Sequence, residues 1–246
     1  MKKILSALTV SAFIMMAATS CKKSQDVMPI AASDASNSVL AINDSITLDY
    51  TDSGVCAMVH GLPSSQATNY NNFPSFQATV WTYLGIPAPR RSLMKFGFGR
   101  VPPACTPQTL VSAKLYLYQG DELGNTAAYY VLNQVSNDAE IRRIKTPWNP
   151  ATVTWTTQPA YFPGLPGPSK NAVAISQIAT PFIGNQDNQV VDVTDMVKQM
   201  LQPNKNFGFE IQFPVGRETQ AYKGRTYGSF TNSNLALRPV LKLYWQ

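Results

Sequence analysis

The chain is a series of short segments in which apolar and polar positions alternate, separated by proline and glycine. The period of two is the mark of half-buried strands, whose successive side chains point to opposite faces. It predicts strands in ITLDYTDSGVCAMV (46–59), FQATVWTYLG (76–85), RSLMKFGF (91–98), TLVSAKLYLYQ (109–119), AAYYVLNQV (127–135) and FGFEIQF (207–213). The last segment, PVLKLYW (239–245), sets Leu241, Leu243 and Trp245 on one face and Val240, Lys242 and Tyr244 on the other. The run ATVTWTTQPAYFPG (151–164) is also read as a strand over Thr152–Thr156. Val153 and Trp155 share one face, the threonines take the other, and Gln158-Pro159 ends the pairing. Eighteen prolines and fourteen glycines mark the intervals, as in IPAP (86–89), VPPA (101–104) and FPGLPGP (162–168).

One segment departs from the alternation. VVDVTDMVKQMLQPNKNFGF (190–209) begins as a strand and then places Met196, Val197, Met200 and Leu201 on one helical face. Thr194 is read as the N-cap, Asp195 complements the helix dipole in the first turn, and Pro203 stops the helix. Many strands, one short helix and no 20–50-residue repeat give an all-β fold, a β-sandwich or jelly roll.

The first twenty residues change the address of the protein, not its fold. Lys2 and Lys3 precede an apolar run from Ile4 to Ala18, and Thr19 and Ser20 lead into Cys21. This is a secretory signal peptide, and a Cys directly after the small residues resembles the bacterial lipoprotein signal, in which that thiol carries the lipid. The organisation expected is a signal peptide over 1–20, lipidated Cys21 with a flexible tether over 21–45, and one β-sandwich domain over 46–246. The small polar residues of 22–38 suit a tether. The expected location is the cell envelope, as an outer-membrane lipoprotein that is surface-exposed or faces the periplasm.

The formal charge of +6 falls to +4 when Lys2 and Lys3 leave, a mild bias toward acidic partners or a neutral-leaning secreted surface. Cys56 and Cys105 remain in an exported body and are expected to form a disulfide, with two buried free thiols as the alternative.

Four pieces stand in a recognisable order: ATNYNNFPSFQA (67–78), RRSLMKFGFGRVPPACTPQTLVSAKLYLY (90–118), TPWNPATVTWTTQPA (146–160), and VVDVTDMVKQMLQPNKNFGFEI (190–211) with the closing RPVLKLYW (238–245). This order resembles the DNRLRE domain family, which overlaps carbohydrate-binding module family 96, from about residue 52 to the end of the chain. The resemblance implies a non-catalytic β-sandwich that in some members binds acidic polysaccharide. In this family pattern Arg91, Asp192, Thr194 and Arg238-Pro239 read as framework, and Trp155 as a core plug. Asn71 replaces a family glycine in a position where a left-handed turn is expected, and Gly97 replaces a family aspartate.

Catalytic chemistry finds little material. His60 is the single histidine, so any Ser-His-Asp or Cys-His system would have to use it, and it lies at a strand end. Phosphate-binding and dinucleotide loops, zinc spacings and calcium-loop spacings are absent from the sequence. No enzyme activity and no cofactor are expected, although scattered loop oxygens could hold a structural Ca²⁺. Basic residues do stand beside aromatics in two stretches: Trp81, Tyr83, Arg90 and Arg91, and Arg217, Tyr222, Lys223, Arg225 and Tyr227. Aromatic faces stack on the apolar side of sugar rings, and Arg and Lys grip carboxylates or sulfates. These nine residues are the candidate ligand-binding set, with rim packing as the bland alternative. The function expected is carbohydrate binding, of an acidic polysaccharide, with membrane contact through the lipid only and no nucleic acid partner. A structural or adhesive module that contacts proteins is the alternative.

Overall fold

The computed structural model describes residue 42 and residues 44–120, 138–163, 170–175 and 188–246. Its strands are β1 (Asp44–Leu48), β2 (Val55–His60), β3 (Tyr70–Asn71), β4 (Ser75–Tyr83), β5 (Ile86–Lys95), β6 (Leu110–Leu117), β7 (Ala139–Arg143), β8 (Ala172–Ile175), β9 (Gln189–Asp192), β10 (Phe209–Gln212), β11 (Lys223–Gly228) and β12 (Val240–Trp245). The helix α1 (Thr194–Met200) lies between β9 and β10. Among the described residues the strands pair antiparallel throughout. One sheet runs β1-β12-β6-β9, and the larger runs β11-β4-β5-β10-β7-β8, with β2 paired to β5 and β3 paired to β2. The all-β sandwich read from the alternation is the observed fold.

The main core contains side chains of both sheets. Leu115, Leu117, Leu241, Leu243 and Trp245 come from the smaller sheet, and Phe76, Met94, Ile141, Phe209 and Ile211 from the larger. Met196, Val197 and Met200 of α1 join them, so the helix buries the face predicted for it. A second, smaller cluster of Ala57, Val59, Leu93, Ile144 and Val153 packs with Trp148, Trp155 and Phe207. The connection after β7 thus supplies apolar cover for β2 and β5.

Several local expectations are corrected. The segment 46–59 is two strands in two sheets, because a turn at 49–54 intervenes. There the Asp52 carboxylate accepts from the Asp49 amide (2.8 Å), and Ser53 takes φ 55°. IPAP is not a break but the beginning of β5. Pro87 and Pro89 lie opposite Thr82 and Val80, before the β2 pairing begins at Arg90, and the Pro89 carbonyl accepts from the Gly61 amide (2.7 Å), so this stretch does not need the amides the prolines lack. Thr194 is the first helical residue instead of the N-cap, which is Val193. The Asp192 carboxylate accepts from the Thr194 amide (3.0 Å) and hydroxyl (2.6 Å), and that hydroxyl accepts from the Ala113 amide (2.9 Å). Asp192 therefore organises the helix start, and Thr194 ties it to β6. The left-handed residue near the family turn is Asn72 (φ 57°), with Asn71 inside β3. Gly97 is explained by crowding, since a Cβ there would overlap the Asp52 carbonyl oxygen. The strand read at Thr152–Thr156 is a turn series. The strand expected at 127–135, the leader and the lipidation site Cys21 lie outside the described residues.

Cys56 and Cys105 are free thiols, both buried, in place of the expected bridge. Cys56 on β2 sits among the backbone and side chains of 229–231, whereas Cys105 lines a groove with residues of 95–107 and 200–207. Burial pushes the Cys56 thiol up to about 11 and raises that of Cys105 as well. Both are held as neutral thiols.

Candidate functional site

Two adjacent left-handed residues close the β4–β5 hairpin, Leu84 (φ 50°) and Gly85 (φ 79°), the backbone that a two-residue primed turn requires. Alternation along β4 then sends Trp81 and Tyr83 to one face, opposite Ala88 and Ile86 of β5. Trp81 is 44% exposed and Tyr83 58%, far more than aromatics that belong to a core. Tyr222, in left-handed backbone (φ 65°) just before β11, meets Trp81 edge-on, with centroids 5.3 Å apart and an 88° angle. Its hydroxyl accepts from Thr82 Oγ1 at 3.3 Å. Three aromatic rings and Ile86 therefore form an exposed strip at the hairpin end. Arg90, opposite Thr79 on the same two strands, is half-buried and donates to Gln77 Oε1 (2.8 Å). Arg217 is half-exposed, with Asp138 Oδ2 3.8 Å from its Nη1.

The remaining candidates are not surface contacts. Arg91 is buried: its Nε and Nη2 donate to the two oxygens of Glu218 (2.7 and 2.6 Å), and its Nη1 lies 3.5 Å from Glu210 Oε1. Its guanidinium also stacks over Trp155, 4.6 Å from the ring centroid. Burial alone would lower its pKa, but the bonds and charge of Glu218 and the charge of Glu210 raise it instead. Lys223, Arg225 and Tyr227 are buried too. KGRTYG forms β11, and Lys223, Arg225 and Tyr227 lie opposite Val80, Ala78 and Phe76, which belong to the core. Arg225 Nη1 donates to the Tyr227 hydroxyl (3.2 Å). Lys223 Nζ stands 4.9 Å from the Phe213 ring centroid and donates to Gln220 Oε1. Burial, helped by the charge of Arg217, brings that ammonium down to about 8. The structure thus separates the candidate set into an exposed strip (Trp81, Tyr83, Tyr222) with Arg90 and Arg217 accessible, and a buried framework group (Arg91, Lys223, Arg225, Tyr227).

A row of buried polar side chains was not singled out in the sequence. Glu210 and Gln212 of β10 lie opposite Arg142 and Glu140 of β7, and Arg142 pairs with Glu140. The signal was available in FGFEIQF, whose Glu and Gln share the face that the phenylalanines leave. His60 is also buried. It stacks edge-on with Tyr70 (6.1 Å), and burial together with Arg90 lowers its pKa to about 4, so it stands neutral. Among the described residues no group of three or more His, Cys, Asp or Glu side chains could hold a metal ion.

The model of carbohydrate-binding module family 96 matches residues 63–239, well over half of the chain, and this is the region of the DNRLRE resemblance. The match includes both the exposed strip and the buried ion cluster. No curated protein matches the chain.

Proposed function

The chain belongs to carbohydrate-binding module family 96, and from that premise we propose that it captures acidic polysaccharide on the strip formed by Trp81, Tyr83 and Tyr222, without catalysis, as a lipid-anchored module of the cell envelope. The observation that carries this reading is the exposure of three aromatic rings held by a tight hairpin and an edge-on contact. Exposed aromatic clusters are uncommon on a soluble surface unless something covers them. Sugar rings present an apolar C–H face that stacks on such rings, with a contribution that salt does not screen. Arg90 and Arg217 add an ionic contribution that weakens as salt rises. The anchor on Cys21 would hold the module where polymer arrives, so repeated weak contacts along one chain suffice.

The test is affinity electrophoresis against acidic and neutral glycans at low and high salt. Acidic polymers should retard the protein, and salt should reduce the retardation in part. Trp81→Ala and Tyr83→Ala should abolish most of it, and Arg90→Gln should weaken retention by acidic polymers only. Unchanged mobility in every gel would overturn the reading in favour of a module that contacts proteins.

A further inference from the structure

We propose that a groove at the far end of β5 is a second saccharide site, selective for an anionic sugar unit. The groove has a volume of about 690 Å³, within the range of small-ligand sites. Half-buried rings of Phe98, Trp148 and Phe207 line it, and Pro102, Pro103 and Pro107 contribute a stiff wall without amide donors. Its walls are set before any ligand arrives. The Trp148 indole donates to the Phe207 carbonyl (2.8 Å), and the Asn206 amide donates to the Phe96 carbonyl (2.8 Å). Such preorganisation lowers the entropic cost of binding.

Charge decides the ligand class. Among the described residues, Lys95 is the only charged one that lines the groove, and no Asp or Glu lines it. Among the described residues, the Lys95 ammonium has neither a hydrogen bond nor an ion pair. Gln202 and Asn204 add exposed amides at the rim that suit hydroxyls. Aromatic walls, a free ammonium and rim amides together match a uronate or sulfated ring. Cys105 also lines the groove as a neutral thiol.

The groove is distinct from the strip. Ala88, opposite Trp81, and Lys95 are separated by seven steps of β5, about 23 Å along the strand at ~3.3 Å per residue. A disaccharide cannot bridge them, whereas a long polymer could occupy both and gain avidity. The inference uses the carbohydrate reading of the family but not the strip itself.

Calorimetric titration of the intact folded body with a diuronate distinguishes the sites. Two equivalents should bind. Trp81→Ala/Tyr83→Ala should leave one, and Lys95→Met added to that pair should weaken the remaining site about tenfold, the loss of one charge-assisted bond. Lys95→Arg should restore binding, which a mere folding defect would not allow. If the strip pair abolishes all binding, or Lys95→Met changes nothing, the second site is wrong while the strip reading survives. If the strip pair has no effect and Lys95→Met removes all binding, the groove stands and the strip falls. Absence of binding by the unaltered protein overturns both.

Discussion

Arg91 gives two of its nitrogens to Glu218 and a third, at 3.5 Å, to Glu210, while its flat face covers Trp155. A guanidinium so engaged is framework, and it brings two carboxylates into the protein interior. Glu210 is fully buried. Burial pushes its carboxyl up to about 8, with Glu218 adding to the rise and Arg91 and Arg142 opposing it. An acid whose folded pKa exceeds its ordinary value keeps its proton longer when folded, so stability is lost as pH climbs from the ordinary value of 4.5 to about 8. His60 acts in the opposite sense: its pKa falls from 6.5 to about 4, so stability is lost as pH falls through that window. The two slopes offset each other below pH 6.5, and above it Glu210 acts alone until Lys223 enters beyond about 8. Chemical denaturation should therefore show stability falling between pH 6.5 and 8, by order of 2 kcal/mol. Glu210→Gln should flatten that interval. A wild-type profile already flat there would mean that Glu210 is ionised in the fold.

Among the elements, the stretch 151–157 shows how local polar bonding overrides an alternating pattern. The Asn149 carbonyl accepts from the amides of Thr152 and Val153, and the Thr157 hydroxyl accepts from the Thr154 amide (2.9 Å). Asn69 Nδ2 then donates to the carbonyls of Pro150 (2.9 Å) and Val153 (2.6 Å). Threonine hydroxyls compete with ladder bonds in this way, and here they fold the segment into turns. Val153 is buried and Trp155 half-buried, so the apolar roles read from the pattern persist without the strand. Trp155→Ala removes a ring that packs on the second cluster and carries Arg91, and it should destabilise by about 3 kcal/mol. Equilibrium unfolding with no ligand present tests this, and an unchanged midpoint would show that the ring contributes little to the fold. α1 was legible because its apolar face, first-turn Asp195 and Pro203 all agree. Its start differs from the sequence expectation because the capping carboxylate is that of Asp192, which belongs to the preceding strand.

At the scale of the whole molecule, the proposed anchor and the two proposed saccharide sites form one hypothesis about capture at the envelope. Cys21→Ser should move the protein from the membrane fraction to the soluble fraction and abolish incorporation of labelled palmitate. Labelling that persists in the variant would place the lipid elsewhere or refute the anchor.

Strand periodicity, the helix α1 and the family pattern were determined by the sequence itself, because alternation and helical spacing are local properties of consecutive residues. The order of the strands was not, because β1 and β2 enter different sheets although one alternating run includes both. Exposure was also decided only by tertiary structure. Trp81 and Tyr83 lie past the end of the β11 pairing, where β4 pairs with β5 alone, and remain open, whereas Lys223, Arg225 and Tyr227 have the same mixture of chemistry but face the inside of the sandwich. Composition marks both stretches alike. Only the pairing of β11 with β4 sets which side of the sheet each residue takes, and a shift of one residue would exchange the two sides.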